Sequence, residues 1–73
     1  MFSQKLLEEA MHKITLEKGI IPSVLYAEMA LFADVIMVTK ATEIFPANET
    51  QYKSNLYPGL IIKLWNKPGW KLE

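Results

Sequence analysis

Fifteen consecutive residues, Val24 to Val38, carry only two charges, Glu28 and Asp34, and this run decides more about the fold than any other part of the chain. Ala27, Met29, Ala30, Leu31 and Ala33 favour helix over strand, and Pro22-Ser23 marks its start. At 3.6 residues per turn the two acids lie about 120° apart around the axis, so no broad polar face is left for water. A helix that is apolar nearly all round must be covered on more than one side. One other short helix cannot do this, so a second copy of the chain is expected, with Leu25, Met29, Phe32 and Ile36 at a homo-oligomer interface. Two acids, a glycine and a proline argue against a membrane span, which takes roughly 20 uninterrupted apolar residues. The β-branched end of the run, Val35 to Thr39, suits a strand equally well, and a continuous apolar run gives no periodicity to decide it. The alternative therefore ends the helix near Ala33 and adds Val35 to Thr39 to a sheet. If the helix continues, Phe45-Pro46 stops it, and residues 46–50 form a loop.

Ahead of this run, Leu7, Ala10, Met11 and Ile14 recur at helical spacing between Glu and Lys, which predicts a first helix over Ser3 to Lys18. Ser3 is its expected N-cap, and Gly19 its expected end. Behind the run the chemistry turns to strands. Tyr57-Pro58-Gly59-Leu60 and Lys67-Pro68-Gly69-Trp70 both place proline at i+1 and glycine at i+2 of a type II turn. Between and around them, Gln51 to Tyr57, Leu60 to Trp65 and Trp70 to Leu72 read as a three-stranded antiparallel meander. Type II turns match hairpin twist poorly, so a connection can be wider than it looks. The expected fold class is α+β: two N-terminal helices, then a short C-terminal antiparallel β meander or hairpin, assembled as a homo-oligomer.

A chain of 73 residues makes a single small domain over 1–73 and buries only about 60% of the surface its unfolded chain exposes. With no cysteine and one histidine, neither a disulfide nor a structural zinc is expected to reinforce it. The cysteine-free sequence suits a reducing cytoplasm. No charged n-region precedes an apolar stretch, so no signal peptide is expected, and Asn48-Glu49-Thr50 reads as an unused glycosylation sequon. Acidic and basic residues balance at eight each, without the long-range pull of a dedicated polyanion binder. All eight basic residues are lysines. Bidentate recognition of guanine is therefore ruled out, and sequence-specific DNA reading is not expected. Lysine-only, Ile- and Glu-rich usage points to an AT-rich genome such as that of a low-GC bacterium or its phage.

Catalytic constellations are scarce. His12 has Glu8 and Glu9 one turn away, but Ser3, Ser23 and Ser54 have no nucleophile motif around them. Glu-Glu-x-x-His lacks the ligand spacing of a metal site, and no cofactor or metal is expected. Glu28 and Asp34 could have raised pKa values in an apolar helix, but neither has a matched partner. The three glycines, Gly19, Gly59 and Gly69, form no phosphate loop.

The last nine residues hold both tryptophans, Trp65 and Trp70, with Lys67 and Lys71 among them and Lys63 just before. On a strand, Leu60, Ile62 and Leu64 share the core face, and Ile61, Lys63 and Trp65 the other. Trp65, Trp70, Lys63, Lys67 and Tyr57 are thus a candidate ligand site, in which an indole stacks a base and a lysine meets a phosphate. The alternative is that the tryptophans close over the core. The expected function is that of a non-enzymatic, cytoplasmic protein that binds and modulates or inhibits an unidentified protein partner. The second expectation is capture of a small nucleotide-like or signalling ligand in an inter-subunit aromatic and lysine pocket.

Overall fold

A computed structural model describes residues 2–44 and 51–73. The loop over 46–50 and the sequon lie outside the described residues, and the second helix ends at Thr39, before the expected Phe45-Pro46 stop. Helix α1 (Gln4–Lys18) starts and stops where its caps dictate. The Ser3 hydroxyl accepts the Leu6 amide at 3.2 Å, and Gly19 takes a left-handed φ of 66° while its amide bonds the Thr15 carbonyl. Leu7 is fully buried, with Ala10, Met11 and Ile14 packed beside it on the same stripe.

The apolar run is two elements rather than one. Strand β1 (Val24–Ala27) is followed by helix α2 (Met29–Thr39), with Glu28 in extended conformation between them as the helix N-cap. Leu25 and Ala27 are buried while Val24 and Tyr26 are only partly so, the period-two pattern of a strand packed on one face. The helical reading of Val24 to Ala27 is thereby corrected. Val35 to Thr39 stays helical, so the alternative that adds these residues to a sheet is also overturned.

The expected C-terminal meander is replaced by a larger, mixed sheet. Strands β2 (Thr42–Glu43), β3 (Gln51–Lys53), β4 (Ile61–Leu64) and β5 (Trp70–Leu72) join β1 in the order β2-β3-β4-β1-β5. β3 pairs antiparallel with β4 as the sequence suggests. β5 does not follow β4. Strand β1 lies between them, parallel to β4 and antiparallel to β5, so the connection through Pro68-Gly69 spans a whole strand. Its width explains how a type II sequence serves here, where a tight two-residue hairpin would fit poorly.

One cross-strand row holds the core: Tyr52, Ile62, Leu25 and Leu72 are register partners across β3, β4, β1 and β5. Leu7 from α1 and Val35 from α2 are buried in the same cluster, so both helices cover one face of the sheet. That face covers one side of α2, and the stripe of Met29, Ala33 and Met37 on its other side stays exposed. The single chain does not show the expected homo-oligomer.

The end of α2 shows how tightly the layers are tied. The buried Thr39 carbonyl accepts the Ser54 hydroxyl at 3.0 Å and the Leu56 amide at 3.2 Å, and Asn55 Nδ2 donates to the Lys40 carbonyl at 2.8 Å. A loop after β3 thus satisfies carbonyls that a helix C-terminus leaves open. Ser54 Oγ also accepts the Tyr57 amide at 2.8 Å. Ser54→Ala leaves that amide without its partner, and a loss of about 1–3 kcal/mol is expected in urea unfolding. Lys40 occupies the left-handed region at φ 52°, where glycine carries no Cβ penalty. Lys40→Gly is therefore expected to raise stability by up to about 1 kcal/mol, read as a higher urea midpoint at unchanged slope.

Candidate binding face

Because both helices sit on one side, the other side of the sheet carries no layer among the described residues. The alternation of each strand decides what stands there. Gln51, Lys63, Tyr26 and Lys71 are register partners in one row across β3, β4, β1 and β5. Thr42, Lys53, Ile61 and Val24 form the next. At roughly 4.8 Å between strands, Lys63 and Lys71 flank Tyr26 about 10 Å apart. Lys53 lies on the diagonal to Lys63, roughly 7–8 Å away.

At one end of this face stands an aromatic column. The Tyr26 and Trp65 rings are stacked, centroids 5.3 Å apart and 18° from parallel, and Lys67 Nζ lies 5.6 Å from the Trp65 ring centre. Trp65 is held at both its backbone and its ring. Its amide extends the β1 pairing by donating to the Ala27 carbonyl at 3.0 Å, and its indole Nε1 donates to the Gly69 carbonyl at 3.2 Å. Gly69, at φ 77°, is clamped from the other side by Glu28, whose carboxylate accepts the Gly69 amide and whose own amide donates to the Gly69 carbonyl at 3.0 Å. One acidic residue thus starts α2 and fixes the turn against which Trp65 rests. Glu28→Ala is expected to cost about 1.5–3 kcal/mol, the range for a hydrogen bond to a charged group. It should also alter the Trp65 emission, which a fluorescence spectrum of the native protein reads.

Charge is distributed unevenly along the chain. Residues 51–73 hold four lysines and one glutamate, a net of +3, whereas residues 1–44 hold four lysines and six acids, a net of −2. The zero balance of the whole chain conceals this asymmetry. Lys71 pairs with Glu73 at 3.5 Å, both side chains being more than half exposed, an ion pair worth little in water. Glu43 pairs with Tyr52 and so belongs to the helix side.

The candidate ligand site of the sequence is split by the sheet. Lys63, Trp65 and Lys67 meet on the open face. Trp70 is opposite the buried Ala27 and meets the Phe2 ring edge-on at 5.1 Å and 87°, packed against the core. Tyr57 is also packed there, its hydroxyl donating to the Glu8 carboxylate at 2.7 Å. Of the expected interface residues, Leu25 is fully buried within the chain's own core, and Phe32 and Ile36 pack against that core. Met29 alone is open, at 75% exposure, on an outer stripe with Ala33 and the 76% exposed Met37. Tyr26 and Lys71 are the residues that sequence reasoning missed as part of this face, because Tyr26 was hidden inside an apolar run. The signal that marks it is the alternation Val24, Leu25, Tyr26, Ala27 between Pro22 and Glu28.

The other titratable candidates stand apart. His12 and Glu9 are exposed on α1 and Asp34 on α2. Among the described residues no group of three or more His, Asp and Glu side chains could hold a metal ion. Glu8 is held below its ordinary carboxylate value by the Tyr57 hydroxyl and, less, by the Gln4 amide. Tyr57 is pushed up by burial and then by its bond to Glu8. The Glu8 contribution is therefore present above the ordinary value of 4.5 and is lost as pH falls through the lowered one. That of Tyr57 is present below 10.0 and is lost as pH rises through the raised value. Tyr57→Phe removes the bond, so its stability deficit relative to the parent should be present at neutral pH and shrink at both extremes. Urea midpoints across pH check this.

No helix among the described residues is long and apolar enough to cross a membrane. Comparison with protein-family models, with curated proteins and with solved structures found no match to this chain.

Proposed function

We propose that this chain is a non-enzymatic binding protein of the cytoplasm that engages an anionic macromolecule through its open sheet face and modulates it by occupying it. The observation that carries this reading is the row Lys63, Tyr26 and Lys71, with Lys53 and the Tyr26–Trp65 column beside it, on a face that the helices do not cover. Lysines brought together on three strands create a local positive potential that zero net charge does not reveal. The sheet holds their backbones at fixed spacing. The cysteine-free sequence suits a reducing compartment.

Titration of the isotopically labelled protein with a polyanion, followed by amide chemical shifts, tests the reading. Shifts confined to β3, β4, β1 and β5, with α1 and the outer stripe of α2 unmoved, are expected. Shifts confined to the helices, or none at low salt, would reject it.

A further inference from the structure

We infer that the occupant of the open face is a single-stranded nucleic acid, one base of which stacks on Tyr26 while Lys63 and Lys71 meet the phosphates on either side. The inference rests on the binding reading above and supplies its ligand class. Charge alone would suit an acidic polypeptide as well. The aromatic column separates the two, because a base has a planar π-face to add to a stack and a carboxylate does not. Trp65 is itself committed: Tyr26 covers one face of its ring, Lys67 lies over the ring, and its indole N–H is bound to Gly69. Its part is to hold Tyr26 upright from behind, which makes it a positioning residue. The ring face of Tyr26 turned away from Trp65 receives the base.

A duplex fits this face poorly, since its bases are already stacked and only its backbone could reach the lysines. In a single strand both the bases and the phosphates are available together. With no arginine in the chain the face lacks the guanidinium fork suited to bidentate recognition of guanine, and backbone charge with base stacking makes the binding largely tolerant of sequence. Glu73, paired with Lys71 at the sheet edge, weakens the attraction of that lysine for phosphate.

Fluorescence anisotropy with labelled twelve-residue oligo-dT, oligo-U and the matching duplex, each at several salt concentrations, tests this, with polyglutamate as the competing polyanion. Both single strands should bind more tightly than the duplex. The logarithm of affinity should fall with the logarithm of salt at a slope of about −0.7 for each phosphate neutralised, near −2 to −3 for three or four lysines. Lys63→Gln should remove about 0.7 from that slope, and Glu73→Gln should tighten binding. Tyr26→Ala should weaken it at least fivefold, as loss of one stacked base does. Tyr26→Phe, which keeps the ring, should restore it and guards against misfolding of the alanine variant. In a Trp70→Phe background the remaining indole, Trp65, should change its emission on binding.

Four results would overturn the inference. Polyglutamate binding as tightly as the oligonucleotides would assign the face to an acidic polypeptide and leave the binding reading intact. Duplex binding as tight as single-strand binding, or full affinity in a folded Tyr26→Ala, would remove the stacked base. Failure of every polyanion to bind at low salt would reject inference and binding reading together.

Discussion

Leu25→Ala is expected to take about 2–5 kcal/mol from this domain, against a total of about 4–11 kcal/mol for a chain of 73 residues at typical stability per residue. Leu25 is fully buried in an interior strand of the sheet, with Ile62 and Leu72 as its register partners on either side. Both partners are themselves buried, and a cavity left between them adds to the lost transfer energy. Equilibrium urea unfolding followed by tryptophan fluorescence is the measurement. A loss below about 1 kcal/mol would show that strand β1 is not what holds the layers together.

The second large effect is that of Phe32→Glu, expected to unfold the protomer or to cost about 2–4 kcal/mol. The Phe32 ring meets Tyr52 at 5.5 Å in an edge-on contact and packs against the core, so a carboxylate there faces the sheet rather than water. Its loss of stability should not depend on protein concentration. Met29→Glu is the counterpart on the outer stripe, where the side chain is already in solvent, and should leave the urea midpoint within about 0.5 kcal/mol. Sedimentation of both variants separates core from interface. A fall in mass for Met29→Glu at unchanged stability would show that the stripe of Met29, Ala33 and Met37 meets a second copy.

The contrast between these two residues shows what the sequence reveals and what it hides. Helix α1 was legible end to end because its caps, Ser3 and Gly19, and its spaced apolar residues are all local signals. The turn at Pro58-Gly59 was legible for the same reason: Gly59 adopts φ 90° and the Leu60 amide closes on the Tyr57 carbonyl at 3.1 Å. The break inside Val24 to Val38 was not, since Leu25 in a central strand and Val35 in a helix are both simply apolar. Glu28 looked like an isolated charge on a helix when it is the cap that ends a strand. Once β1 was absorbed into a helix, the strand between β4 and β5 was missing. The two tryptophans then fell on one side of an imagined meander. Trp65 and Trp70 are instead on opposite faces, and the basic face could be recognised only from the register that puts Tyr26 between Lys63 and Lys71.

The position of β1 also bears on how the chain folds as it is made. Its two neighbours come late: Val24 pairs with Ile61, 37 residues on, and Leu25 with Leu72, 47 residues on. No hairpin can nucleate it. The closure entropy of both loops must be met before any of its ladder bonds form, which places folding toward the slow, non-local end of the range for small domains. Until residues 61–72 arrive, the most buried strand of the native sheet has two bare edges. An identical strand from a second nascent chain is then the nearest match for each. High expression or a slow passage through those residues should therefore favour exchange of C-terminal strands between molecules, giving intertwined dimers whose fraction rises with the concentration at which the protein is refolded.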